Sequence, residues 1–200
     1  MTGTLIPLWL KVVYTAFVVV LVIVYWTKAA AGPRNFLWFS DIALFGTALA
    51  LWLESALLAS AMAVGVLLPE TLWTISVLSG LITGRPIRGV GDYMFDPQEP
   101  WYMKALSLFH VHMLVTLIWI IATLGYDGRA LLIQTVLAWI VLPLTYAVTE
   151  PRFNINRVFG PGPTPQRRLH PIAYLALQMA ATPVLIFLPT HLLLNALFGS

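Results

Sequence analysis

The sequence predicts an all-α fold, a polytopic bundle of about six transmembrane helices built as one integral membrane domain over residues 1–200. Three observations point there: 60% of the residues are hydrophobic, only 10% are charged, and the apolar residues fall into long runs. A typical soluble domain is about 25% charged. There is too little polar side chain here to clothe a globule of this size, so lipid must replace water around most of it. The absence of cysteine removes disulfides, thiolate metal sites and a thiol nucleophile. The eleven Lys and Arg cluster mainly in a few loops. That is a membrane-orientation signal and not a nucleic-acid footprint, so no nucleic-acid partner is expected.

Residues Leu5 to Trp26 form the first apolar run, broken only by Lys11. At about 1.5 Å per residue they cross a hydrocarbon core about 30 Å thick. Tyr25 and Trp26 anchor its end at the interface. Ala29-Ala30-Ala31 resembles the cleavage site of a secretory signal, but the leader lacks a basic start, and a retained helix is expected. From Phe36 to Leu68 the chain stays apolar for a length of about 50 Å as one helix, too long for a single span. Glu54-Ser55 is its polar break, which predicts a tight hairpin between helices Phe36 to Leu53 and Ala56 to Leu68. Small residues at four-residue spacing (Gly46 and Ala50; Ser55, Ala59 and Ala63; Ala61 and Gly65) let two helices approach closely in lipid.

Pro69-Glu70 starts a further segment, Thr71 to Leu81, too short to span and readable as a second half of the third helix after a proline kink. Gly84 to Pro100 is rich in Gly, Pro and Asp and reads as a long loop, a kind of segment that is often functional. Trp101 to Leu124 is the fourth span, Gly125 to Gly128 a turn, and Arg129 to Val148 the fifth span, bent at Pro143. The proline- and arginine-rich stretch from Glu150 to Pro171 must leave the hydrocarbon. The last span, Ile172 to Phe198, carries Pro183 and Pro189 and is expected to kink.

With six spans the first, third and fifth loops share one side. They hold Lys28, Arg34, Arg85, Arg88, Lys104, Arg152, Arg157, Arg167 and Arg168, while the opposite loops hold only Arg129. The positive-inside rule puts the basic loops in the cytoplasm and both termini outside.

This topology brings distant polar residues to one depth. Asp41 lies roughly 8 Å into the second span from the basic side and His110 roughly 14 Å into the fourth. Asn154 and Asn156 close the fifth span on that same side. Asp41 has two readings: a carboxyl in a polar pocket, since an ionisable group in a span costs about 3 kcal/mol unless paired or solvated, or a first-turn charge stabilised by the helix dipole. His110 and His112 are about 200° apart on a helix and cannot line one pocket. Ser107 shares a face with His110, which favours His110, with His112 as the alternative. That spacing argues against a shared metal site, and the four histidines show no ligand spacing, so no metal or cofactor is expected. Asn154 and Asn156 either cap a helix end beside the rigid Gly160-Pro161-Gly162-Pro163 turn or hydrogen-bond a substrate. His191 and Asn195 share a face near the opposite surface, either as a helix-end contact or as a second site. Gln134 and Gln178 are expected to join helices.

Four segments taken in order, Phe36-Leu37-Trp38-Phe39-Ser40-Asp41, Leu67-Leu68-Pro69-Glu70, Leu108-Phe109-His110, and Asn154-Ile155-Asn156 through Gly160-Pro161-Gly162, carry a resemblance over residues 36–162. The chain resembles a superfamily of six- or seven-span membrane proteins that includes the bacterial YwaF-like family and the animal androgen-induced fatty-acid-ester hydrolases. In the hydrolase branch the resemblance implies a Thr nucleophile near the start of the early helix and a His base on the middle helix, acting on esters of hydroxy fatty acids. A related branch transfers acyl chains between lipids. The His would be His110. Trp38 stands where the Thr would align, and Ser40 lies about 200° further around the helix.

Two functions are therefore expected to compete. In one, the protein is an intramembrane acyl hydrolase or acyltransferase: Ser40, with Ser107 as second choice, attacks a lipid ester, His110 is the base, and Asp41 or an Asn orients the imidazole. In the other it is a non-catalytic bundle that holds a lipid, quinone or pigment, or an accessory subunit of a larger membrane complex. Asn154, Asn156 and Ser107 are the expected substrate contacts. Membrane lipids are the expected partners of the first, and partner subunits in the membrane of the second. A bacterial inner membrane is the expected location.

Overall fold

The structure, a computed structural model, describes residues 5–162 and 164–199. The first four residues of the leader, Pro163 of the Gly-Pro repeat and Ser200 lie outside the described residues. Eight α-helices carry the fold: α1 Leu8–Lys28, α2 Phe39–Leu53, α3 Ala56–Thr83, α4 Trp101–Ser107, α5 Phe109–Leu124, α6 Ala130–Val148, α7 Pro171–Thr182 and α8 Leu188–Phe198. α4 and α5 make one apolar span over Trp101–Leu124, and α7 and α8 another over Pro171–Phe198. With α1, α3 and α6 these are five helices long and apolar enough to cross a membrane, and α2, at 15 residues, is a shorter apolar helix among them. The expected bundle of about six spans is the observed one.

The predicted reversal at Glu54-Ser55 is present. Glu54 ends α2 in the left-handed region (φ 48°), and the Ser55 side chain caps α3 by accepting from the Leu58 N–H at 3.2 Å. An N-cap serine satisfies a donor that the helix start otherwise leaves free. The two helices then pack at glycine. A β-carbon on Gly46 would overlap the Met62 side chain, and one on Gly65 would overlap Gln134 of α6. Close approach through small residues is how helices associate where lipid removes the hydrophobic incentive.

Two sequence boundaries move. Gly32–Leu37 forms a 3-10 turn, so α2 begins at Phe39 and not at Phe36. Pro69 does not open a new segment: Thr71 to Leu81 is the second half of α3, the alternative the sequence offers, in one helix of 28 residues. A proline ring crowds the carbonyl of the residue four earlier and leaves it without its helical donor. Here that residue is Gly65, the glycine against which the Gln134 side chain lies.

α3 is the axis of the bundle. Within its apolar window 56% is buried, against 11% for the Pro171–Phe198 span, which is the outermost. That last span changes winding at Pro183: residues Pro183–Phe187 form a π-helical stretch between α7 and α8, which accommodates the predicted kink and buries Phe187. Such bulges re-register a helix where a proline interrupts its ladder.

Side-chain contacts tie each end of the bundle together. At one end Glu54 holds Lys11 at 2.8 Å and accepts from the Leu5 N–H at 3.0 Å. There too the Asp127 N–H donates to Ser60 Oγ, and Tyr126 Oη bonds His191 Nδ1 at 2.7 Å. At the other end Arg34 pairs with Glu150 at 3.1 Å, and Arg157 donates to the Gly89 carbonyl at 2.7 Å. The three basic loops thus share one end, as the six-span count requires.

Candidate functional site

The basic end also holds a buried polar cluster. Its centre is a contact between Glu70 of α3 and His110 of α5, with Oε2 and Nδ1 2.5 Å apart. Both side chains are nearly enclosed, 8% and 12% exposed. α3 delivers Glu70 because it continues past Pro69. His110 arrives because the helix breaks at Leu108, where α4 stops and α5 restarts with a 3-10 bond from the Val111 N–H to the Leu108 carbonyl. The imidazole lies between two aromatic rings, Trp73 at 4.5 Å and Phe109 at 4.1 Å between centroids, tilted 32° and 26° to it.

The Glu70 carboxyl meets the imidazole at Nδ1, which leaves Nε2 as its second polar atom. No hydrogen bond occupies Nε2 among the described residues. His112 faces away, edge-on to Phe17 and Tyr14 of α1 at 4.6 and 5.6 Å. The helical spacing separates the two histidines as expected.

Around this pair stand Asp41, Trp73, Tyr93, Tyr25 and Ser107. Asp41, in the first turn of α2, is 2% exposed, and its Oδ1 has no hydrogen-bond partner among the described residues. The Trp73 indole N–H is likewise buried and unpartnered. The Ser107 hydroxyl donates to the Met103 carbonyl at 2.9 Å. An acceptor on Asp41 and a donor on Trp73 thus stand without partners, both buried. No group of three or more His, Asp or Glu gathers as a metal shell among the described residues.

The 84–100 loop closes this cluster. Ser76 Oγ accepts from the Ile87 N–H and donates to the Val90 carbonyl, folding the loop back along α3. Gly91 (φ 72°) brings the backbone against Trp73, and Phe95 packs on Gly80 so closely that a β-carbon there would overlap its ring.

The remaining predicted residues have other duties. Asn154 donates to the Gly160 and Gly162 carbonyls, each at 2.8 Å, and accepts from the Phe159 N–H. Asn156 accepts from the Phe39 N–H at 3.0 Å and donates to the Leu37 carbonyl at 2.6 Å. Their amides are engaged by backbone, so the expected substrate contacts are instead the staples of this end, and Asn156 caps the helix that carries Asp41. Ser40 is buried, and no hydrogen bond joins it to His110. Gln178 donates to the Asn156 carbonyl at 2.6 Å and joins α7 to the same loop.

The sequence alone does not mark Glu70, Trp73, Tyr25 or Tyr93 as candidates. Pro69-Glu70 reads as a helix start, which gives the carboxylate a plain role. The signal that could have found it is its standing as the one acidic residue within a long apolar helix.

No family model, no curated protein and no solved structure matches this chain. The fold and the cluster define a polytopic helical membrane protein with an ionisable pair enclosed within its spans.

Proposed function

We propose that the protein is an intramembrane hydrolase of a lipid ester, with His110 as general base. The observation that carries this is the Glu70–His110 contact with Nε2 unoccupied. In the reaction His110 Nε2 takes a proton from the attacking oxygen as it bonds to the ester carbonyl carbon. It then returns the proton to the alkoxide as the carbon–oxygen bond breaks. Glu70 fixes the tautomer and steadies the imidazolium. Because no serine hydroxyl is bonded to His110, water is the attacking oxygen that the geometry suits best, with the vacant Asp41 oxygen and Trp73 N–H available to orient polar groups. A lipid hydroxyl in place of water would make the same step an acyl transfer.

Three of the segments that carry the sequence resemblance supply Asp41, Glu70 and His110, and the fourth supplies Asn156, which caps α2. Their convergence supports the reading. The nine basic residues gathered at that end favour the cytoplasmic side of a bacterial inner membrane, with the termini outside.

The test is hydrolysis of a panel of lipid esters by purified protein in nanodiscs. Wild type should release acid, and His110→Ala should lose about 10²–10⁴-fold. Equal rates for the two, or no turnover of any ester by wild type, would leave a non-catalytic bundle as the better reading.

A further inference from the structure

A second feature lies outside the Glu70–His110 cluster. The seam between α6 and α7 holds two clefts. One, of about 320 Å³, is lined by Trp139, Ala176, Met179 and Ala180. The other, of about 220 Å³, is lined mostly by the 151–166 loop, Phe159 and Gln166 included, and by Tyr146 of α6 and Pro171 and Tyr174 of α7. They stack along the same two helices, since Trp139 and Tyr146 are two turns apart on α6, about 10 Å. Trp139 bridges the seam at its deep end by donating to the Met179 carbonyl at 3.0 Å. From Trp139 to the end of α6 at Val148 is about 14 Å, half of a hydrocarbon core about 30 Å thick. The seam is therefore one leaflet deep.

Its shallow end is cationic. Gln166 lines the upper cleft and accepts from the Arg168 and Leu169 N–H groups at 2.9 and 2.8 Å, which shapes a turn that presents Arg167 and Arg168 to the surface. Both arginines are exposed, and neither pairs with a carboxylate among the described residues. Alanine at 176 and 180 keeps this open groove shallow and apolar, where a chain of methylenes can lie, and Arg167 and Arg168 precede the start of α7 by four and three residues.

We propose that this seam binds one anionic phospholipid of the inner leaflet, its phosphate at Arg167 and Arg168 and one acyl chain along α6 and α7 as far as Trp139. The site is separate from the proposed hydrolytic centre: neither cleft is lined by Asp41, Glu70 or His110. The basic end selects an anionic lipid over a protein helix, because a guanidinium pair at the interface gains from phosphate charge and each cation there adds several-fold in affinity. The apolar floor holds the chain by burial.

The test is lipid retention, measured by native mass spectrometry of the full chain after exchange into detergent carrying equal phosphatidylglycerol and phosphatidylcholine. Wild type should keep one phosphatidylglycerol. The double variant Arg167→Gln, Arg168→Gln should lower the preference for phosphatidylglycerol by about tenfold. Ala176→Trp, which fills the cleft and leaves the arginines in place, should lower retention of both lipids. Equal retention of the two lipids by wild type, no change in either variant, or a second copy of the chain seated in place of lipid would overturn the proposal. No arm measures hydrolysis, so the result stands apart from that of the ester panel.

Discussion

Glu70 and His110 lie 40 positions apart in the chain, on the two spans that flank the 84–100 loop, and their side chains meet at 2.5 Å. Each depends on an irregularity: Pro69 is tolerated within α3, and Leu108 breaks the fourth span just before the histidine. Glu70→Gln keeps the size but replaces the carboxyl that meets Nδ1. Turnover of a lipid ester should fall by about 10²–10⁴-fold, with little change in substrate affinity. Steady-state kinetics in nanodiscs checks this, and an unchanged kcat would remove Glu70 from the mechanism.

Gly65→Leu should destabilise the bundle. Gln134 already fills the space a side chain would need there. Overpacking of this kind costs about 1–3 kcal/mol, visible as a lower thermal unfolding midpoint in detergent, while the exposed Gly128→Ala should leave that midpoint unmoved.

Lys11 and two backbone N–H groups hold the Glu54 carboxyl below its ordinary value of 4.5, with the Lys11 hydrogen bond the largest cause. A lowered carboxylate pKa favours the folded, ionised form. The contribution is complete above pH 4.5 and is lost as pH falls through the lowered value. Acid should therefore loosen the docking of residues Leu5 and Ile6 first. Hydrogen exchange at those two amides should rise as pH drops below 4.5, after correction for intrinsic rates. In Glu54→Gln it should be raised already at neutral pH and insensitive to acid.

The sequence contains no cysteine, so single cysteines report orientation without background. Gly128→Cys should react with a membrane-impermeant maleimide in intact cells, and Gly162→Cys only after the membrane is permeabilised. The reverse pattern would invert the topology and put the Glu70–His110 end outside.

Asn156→Ala removes the cap on α2 and the bond to the Leu37 carbonyl together. A loss of about 1–3 kcal/mol is expected from cap and buried hydrogen bond combined, again read from the unfolding midpoint.

Much of this arrangement is written locally. Glu54-Ser55 announces the hairpin because one polar pair interrupts an apolar run too long to span, and helical periodicity alone turns His110 and His112 to different neighbours. What was hidden is non-local. The loop that follows α3 returns along it through Ser76, and no local pattern states that a mid-helix serine will accept the Ile87 N–H. The start of α2 moved because Asn156, more than a hundred residues later, supplies the cap that selects Phe39. Glu70 was masked by its own neighbour, since proline followed by glutamate is how many helices begin.

The central position of α3 bears on biogenesis. Its mean hydropathy, 1.6, is below the 2.3 of α1, and α2, which precedes it, is only 15 residues long. α2 alone is short for a span. The two would partition from the translocon as a preassembled pair, closed by the Glu54 reversal, so a lesion in that turn would be felt during synthesis, before the Glu70–His110 contact can form.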